Sequence, residues 1–398
     1  MRTLIVSDLH LGSASRVDVL RRSEPRELLL EALAEVDRLV LLGDVLELRH
    51  GPRREVLVEA REVFEDLGRA MSGGEIVLSA GNHDHALVSP WLQRRGELHV
   101  EALGLEQSIE PAQASPMAEQ IAAWAAPARV RVSYPGIWVR PDVYAMHGHY
   151  LDCHLTVPTL ERLGIGAMGR ILRRPHGGFG AVEDYEAVSA PVYAWIDAVA
   201  GQAATGETLN GKSTVRAWRA LGGDRDRRSS RGRSGEGDGS GRGGVQGHSR
   251  GGGSGGGDPL QRVRTAALAG GFTVAVAALN RIGLGPVRAD ISAVELRRAG
   301  LSAMGEVAAR LGLGEAHVIF GHTHRTGPLP KDDPHEWRGR GGARLMNTGC
   351  WTYDAYFLTP TPGESPYWPG GAVLVEEEGE PRLLRLLEGC PHGVLGAG

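Results

Sequence analysis

Short polar clusters directly behind apolar runs hold the residues best able to do chemistry. They are Asp8 and His10 in SDLH, Asp44 in GDVLE, Asn82, His83 and Asp84 in GNHD, His147 and His149 in HGH, and His322 and His324 in GHTH. Carboxylate, carbonyl and imidazole donors suit manganese, ferrous iron or zinc without choosing strongly among them. Two divalent ions about 3.5 to 4 Å apart need a shared ligand, can hold a hydroxide between them and can clamp a phosphoryl group from both sides. A lone carboxylate such as Asp44 can be shared, while Asp8 and His10, with one residue between them, can grip one ion together. His322 and His324 can face the same way, because side chains two apart in an extended segment share a face. Glycines ahead of Asp44, Asn82 and His322 permit tight turns and close backbone approach.

These clusters need elements that bring them together. Residues 3–7, 38–43, 75–81 and 142–148 read as strands, and 24–36 and 54–71 carry apolar residues at helical spacing. Strand, crossover helix and strand in succession predict a parallel-rich α/β core, with ligand sites at the carboxyl ends of the strands. A further apolar run at 318–320 precedes GHTH, and ARLMNTGCW, GAVLVEE and RLLRLLE read as short strands completing the sheet. Between these parts the alternation stops. Helix-like patches at 185–200, 213–221, 260–279 and 293–311 flank a stretch at 222–259 that is almost wholly Gly, Ser, Arg and Asp. Such a composition has nothing to bury and predicts a disordered loop. Residues 1–150 and 317–398 are therefore expected to form a discontinuous core, with 151–316 inserted as a mainly helical cap.

The order of blocks, Asp-x-His, Gly-Asp, Gly-Asn-His-Asp, His and Gly-His-x-His, resembles the calcineurin-like metallophosphoesterase superfamily. The resemblance implies a four-layer α-β-β-α sandwich and a dinuclear site. Asp8, His10, Asp44 and His324 would hold one ion, and Asp44, Asn82, His147 and His322 the other, with Asp44 as the bridge. His83 would hydrogen-bond the phosphate and protonate the leaving oxygen, a task suited to imidazole. The cap placement is similar to that of the UDP-2,3-diacylglucosamine diphosphatases, although GNHD and HGH stand where that subgroup has GNRD and HGD. The expected reaction is hydrolysis of a phosphate ester or pyrophosphate by a hydroxide bridging two divalent ions, Mn2+ or Fe2+/Mn2+ first and Zn2+ next.

Other residues have two readings each. Asp84 either orients His83 or caps the following segment. Asn82 and His149 are candidates to meet the phosphate, and His149 is equally suited to a turn. Asp152 is placed to orient a histidine ligand. Arg325 could take a phosphate bidentately or lie at the surface. Asn347-Thr348-Gly349 resembles the family's closing loop. His50, His85 and His154 read as ordinary polar or packing residues, and the scattered tryptophans as packing.

Composition bounds the rest. A net charge of -4 gives no global drive toward nucleic acid. A nuclease would want a basic groove with aromatic platforms, which the sequence lacks. A non-catalytic relative would be expected to lose ligands, and all the blocks are intact. Cys153, Cys350 and Cys390 are too few and scattered for a disulfide framework, and the opening MRTLIVSDLHLGS has no long apolar segment, so a cytoplasmic protein is expected. Residues 266–285 are apolar but interrupted by Asn280 and Arg281, which suits burial, or contact with the inner face of a membrane, better than a spanning helix of roughly 20 residues. The partner is a phosphorylated small molecule or a lipid-linked substrate. No sequence feature sets the oligomeric state.

Overall fold

The structure is a computed structural model that describes residues 1–49, 52–98, 102–157, 162, 165, 168, 178–202, 293–355, 358, 361 and 364–396. The sequence expectations for 213–221, 222–259 and 260–285 lie outside these residues.

The chain opens β1 (Thr3–Val6), α1 (Ser23–Ala32), β2 (Arg38–Leu42), α2 (Arg53–Ala70) and β3 (Glu75–Ser79). After α3 (Ser89–Leu98) come β4 (Glu106–Ile109), α4 (Pro111–Ala114), α5 (Pro116–Trp124), β5 (Arg129–Arg140) and β6 (Val143–Met146). Then follow α6 (Val182–Gln202), α7 (Ala293–Arg310), β7 (His317–Phe320), β8 (Arg344–Asn347), β9 (Gly371–Val375), β10 (Arg382–Arg385) and α8 (His392–Leu395). The strands run in the order β10-β9-β1-β2-β3-β5-β6-β7-β8, with β4 beside β5. β1, β2, β3 and the first half of β5 are parallel, and so are β6, β7 and β8. The second half of β5 instead pairs antiparallel with β6, so one long strand joins two sheet halves.

Alternation along each strand explains how the halves stack. Ile5, Val40, Leu42, Val77 and Val373 point inward and pack directly against Ile137, Val143, Ala145 and Ile319 of the other half. Their neighbours Leu4, Val6, Leu39, Leu41, Ile76 and Leu78 point the other way, into a core shared with Leu29, Phe64, Leu67 and Ile121 of the helices. Burial on both faces is why these strands read as continuous apolar runs. The result is the mixed α/β architecture expected, with sheet faces packed on one another and helices outside.

Of the expected insertion, most of the described residues lie in helices. A 3-10 turn at His149–Cys153 leads out of β6, and α6 and α7 follow. Glu186 of α6 is tied to the core by the hydroxyls of Tyr134 and Tyr150 and by His85 Nε2 at 3.3 Å. No helix among the described residues is long and apolar enough to cross a membrane.

Candidate metal centre

β1, β2, β3, β6 and β7 each end by delivering one polar cluster to a common edge. Ligand atoms of Asp8, His10 and His324 lie within 4.8 Å of one another, and so do those of Asp44, His147 and His322. Asp44 stands between the groups: its Oδ2 is 3.3 Å from His147 Nε2 and 3.9 Å from His10 Nε2. Asn82 completes the second group, with its Oδ1 3.0 Å from His322 Nδ1 and 3.2 Å from His147 Nε2. The seven residues expected to hold metal are thus brought together.

The backbone is bent to do this. Asp8, His10, Asp44, His322 and His324 have φ of 55°, 46°, 50°, 66° and 57°, the left-handed region that side chains with a Cβ avoid. Each such residue costs on the order of 1–3 kcal/mol, held in place by its surroundings. Here the turns brace one another: the His322 N–H donates to Asp8 Oδ2 at 3.0 Å, and the His83 N–H to Asp44 Oδ1 at 2.8 Å. The glycines matter for closeness, as expected from the sequence. A Cβ on Gly81 would collide with Asp44 Oδ1, and one on Gly321 with Ser7 and Asp8.

Three of the four ligand histidines are oriented from behind. His147 donates from Nδ1 to the Leu42 carbonyl at 3.0 Å, leaving Nε2 toward Asp44. Asp152 Oδ2 holds His322 Nε2 at 3.1 Å, leaving Nδ1 toward Asn82. His10 rests its Nδ1 on Glu47 Oε2 at 3.0 Å and turns Nε2 toward His324. Such outer partners set which imidazole nitrogen is offered to a cation. The loop Asn347-Thr348-Gly349 closes the site, with Asn347 Nδ2 donating to the Gly321 carbonyl at 2.9 Å and Thr348 Oγ1 2.6 Å from Ser7 Oγ.

The electrostatics are those of a cation site. Burial opposes ionisation of Asp44, yet the imidazoles of His147 and His83 outweigh it and hold the carboxyl well below its usual range. Burial likewise opposes a charge on His147, but Asp44, Asp8 and Asp84 raise it to about 9. The buried carboxylates therefore favour a proton on His147 and on His324. Divalent ions would answer the same demand. Asp8 Oδ1, fully buried, has no hydrogen-bond partner among the described residues and lies 3.2 Å from His324 Nε2, and the Nε2 atoms of His10 and His324 approach each other to 3.1 Å. Oxygen and imidazole donors converging on unpaired space fit a divalent cation. The Asn82 amide can face inward either way: nitrogen inward it would bond Asp44, His147 and His322, and oxygen inward it offers a ligand.

His83 lines the cavity beside the metal groups and meets His10 edge-on at 4.7 Å between ring centroids. Its carboxylate partner is Glu47, with Nδ1 2.9 Å from Oε1. This corrects the pairing expected for Asp84. The Asp84 carboxylate accepts instead from the backbone N–H groups of Gly81, Asp44, Val45 and Leu46, at 2.7, 3.2, 2.7 and 3.3 Å. It shapes the Asp44 turn, and it neither orients His83 nor caps the segment that follows it. Burial and the nearby Asp44 charge push it up to about 6.

The two remaining candidates, His149 and Arg325, are engaged differently. His149 is fully buried behind His147, its ring nitrogens without hydrogen bonds among the described residues and its charged form opposed by burial. Arg325 lines the cavity, but its guanidinium is held bidentately by Asp332 at 3.0 and 2.6 Å and lies over the Trp337 ring. The residue sequence reasoning missed is Glu47. The signal available was its place in GDVLE, three residues beyond Asp44.

The cavity itself measures about 400 Å3. Its lining combines Asp44, Asn82, His83 and the GHTH histidines with the apolar Leu151, Leu155, Leu296, Leu301 and Trp337 and the charged Arg297 and Arg325. Among curated proteins none matches the chain. Residues 1–195 match the family model of the calcineurin-like phosphoesterases, a span that carries the Asp8, Asp44, Asn82 and His147 blocks together with Glu47 and Asp152.

Proposed function

We propose that the protein hydrolyses a phosphate ester or pyrophosphate bond with two divalent ions, one held by Asp8, His10, Asp44 and His324 and the other by Asp44, Asn82, His147 and His322. The observation that carries this reading is the Asp44 carboxylate, shared between two groups of ligand atoms. Bound there, the ions supply Lewis acidity that activates water and offsets charge on the phosphoryl oxygens.

The chain's own residues do the rest. Asp152, Glu47 and the Leu42 carbonyl hold the imidazoles in one orientation, so little reorganisation is needed when the ester arrives. His83 stands at the cavity wall with Nδ1 on Glu47, placing Nε2 to exchange a proton with the leaving oxygen. Burial holds the His83 imidazole below its usual range, while the Glu47 and Asp44 carboxylates pull the other way. Manganese is the first metal to test.

A second reading, a peripheral-membrane UDP-sugar-lipid diphosphatase, is favoured by the apolar residues in the cavity lining, among them Leu296 and Leu301 of α7. A substrate with one apolar substituent fits that lining. The test is phosphorus NMR on chelator-quenched digests by the manganese-reconstituted protein of a pool containing a phosphomonoester, a phosphodiester and a UDP-linked lipid pyrophosphate. Loss of one resonance is expected and names the bond. All resonances surviving, with two ions bound per chain, would defeat hydrolysis of these classes.

A further inference from the structure

One face of α7 lies over the cavity: Leu296, Arg297, Gly300 and Leu301 all line it. Gly300 marks the close approach, since a Cβ there would lie 3.6 Å from Thr323 Cγ2, and Thr323 stands between His322 and His324. Arg297 is three residues earlier on the same face, about 4.5 Å back along the helix axis. Helical side chains lean toward the N-terminus, so the helix directs this guanidinium away from Gly300. It is therefore placed to meet a part of a bound molecule other than the one at the GHTH histidines.

The guanidinium is incompletely satisfied. Its side chain is 22 % exposed, and Nη2 is 2.7 Å from Glu336 Oε2. That contact lacks hydrogen-bond geometry: Glu336 Oε2 and Arg297 Nε are both buried without a hydrogen-bond partner among the described residues. Glu336 gives its other oxygen to a different arginine, Oε1 accepting from Arg298 Nε at 2.9 Å. Arg325, also at the cavity wall, is by contrast held bidentately by Asp332. A buried N–H without an acceptor costs stability that an anionic oxygen of a ligand would restore.

We propose that Arg297 is a specificity-determining residue that binds a second anionic group of the substrate, a phosphate or carboxylate separated from the scissile phosphoryl by an apolar spacer along Leu296 and Leu301. The scissile bond rests on the hydrolase reading above; the anion site rests on the cavity alone. A guanidinium suits either anion, because its planar fork offers paired N–H donors to two oxygens. At about 400 Å3 the cavity has room for more than one phosphoryl group.

The test is calorimetric titration of the manganese-reconstituted full chain, as wild type, R297Q and R297K, with alkylphosphonates of three to eight carbons. Each is compared with the α,ω-diphosphonate and the ω-carboxylated phosphonate of the same length, whose P–C bonds are not hydrolysed. At one length or more the wild type is expected to bind a two-headed probe about 10- to 100-fold more tightly than the plain alkylphosphonate, beyond the twofold that two equivalent ends give. R297Q is expected to lose that ratio and R297K to keep part of it, because lysine retains the charge without the fork. The better of the two second heads names the anion. A ratio of about two or less at every length in the wild type overturns the proposal without recourse to any variant. So does an R297Q protein, folded by circular dichroism, that keeps the wild-type ratio. Rates on the matching phosphate esters are taken on the same preparations. Two-headed binding with no ester cleaved would sink the hydrolase reading and leave the anion site standing, whereas cleavage without the binding ratio would sink the anion site alone.

Discussion

His83 and Asp84 are neighbours in sequence with opposite duties. His83 faces the cavity from a carboxylate of the next loop, while Asp84 is turned away to hold four backbone N–H groups of the Gly81 and Asp44 turns. Replacing His83 with Asn should leave two ions bound and slow turnover by about 10² to 10⁴, most on esters with poor leaving groups. An unchanged rate on an alkyl ester would remove His83 from the proton transfer. The ligand types were legible because carboxylate and imidazole behind apolar strands have few other uses. The Asp84 and Glu47 roles were not, since both depend on partners some 36 to 40 residues away, brought close only by the turns at Asp44 and Asn82. The left-handed backbone at Asp8, His10, Asp44, His322 and His324 leaves no mark in residue type, because these positions are chosen for their side chains.

At the scale of elements, β1, β2, β3, β6 and β7 were readable as apolar runs, but β4 and the long β5 were passed over. β5 reads RVRVSYPGIWVR, where charged residues at its ends and Pro135-Gly136 in its middle look like a break. The break marks the place where the strand leaves one sheet half for the other. The helices that wall the site carry their own pH dependence. His154, bonded through Nε2 to the Tyr185 hydroxyl of α6 at 2.9 Å, is lowered to about 4 by burial first and by the Arg310 charge second. A folded-state pKa below the unfolded value means that, as pH falls, the unfolded chain takes the proton first. The stability is intact above pH about 6.5 and is lost as pH falls toward about 4, by on the order of 2–3 kcal/mol. His154→Gln should flatten that slope. Equal losses of urea midpoint between pH 7 and pH 4.5 in variant and wild type would show that His154 does not titrate this way.

For the whole molecule, the site is assembled from chain ends: Asp8 through His147 come from one end, and His322, His324 and the Asn347 loop from the other. The family model matches residues 1–195, which supply one side of this assembly. The stretch 225–257 lies outside the described residues, and its Gly, Ser and Arg composition offers little to pack. Its deletion should leave the circular dichroism spectrum and the metal-dependent rate largely unchanged; a protein that unfolds without it would contradict that reading. The central claim, however, is that two ions share Asp44. It is tested most directly by stripping the protein with chelator, returning manganese in steps, and measuring bound ions and phosphoester hydrolysis in the same samples, with Asp44→Asn alongside. The expected result is hydrolysis that rises with the second ion and is lost in the variant together with one or both ions. Full activity in the stripped protein, or an Asp44→Asn protein that binds two ions and turns over normally, would contradict the account.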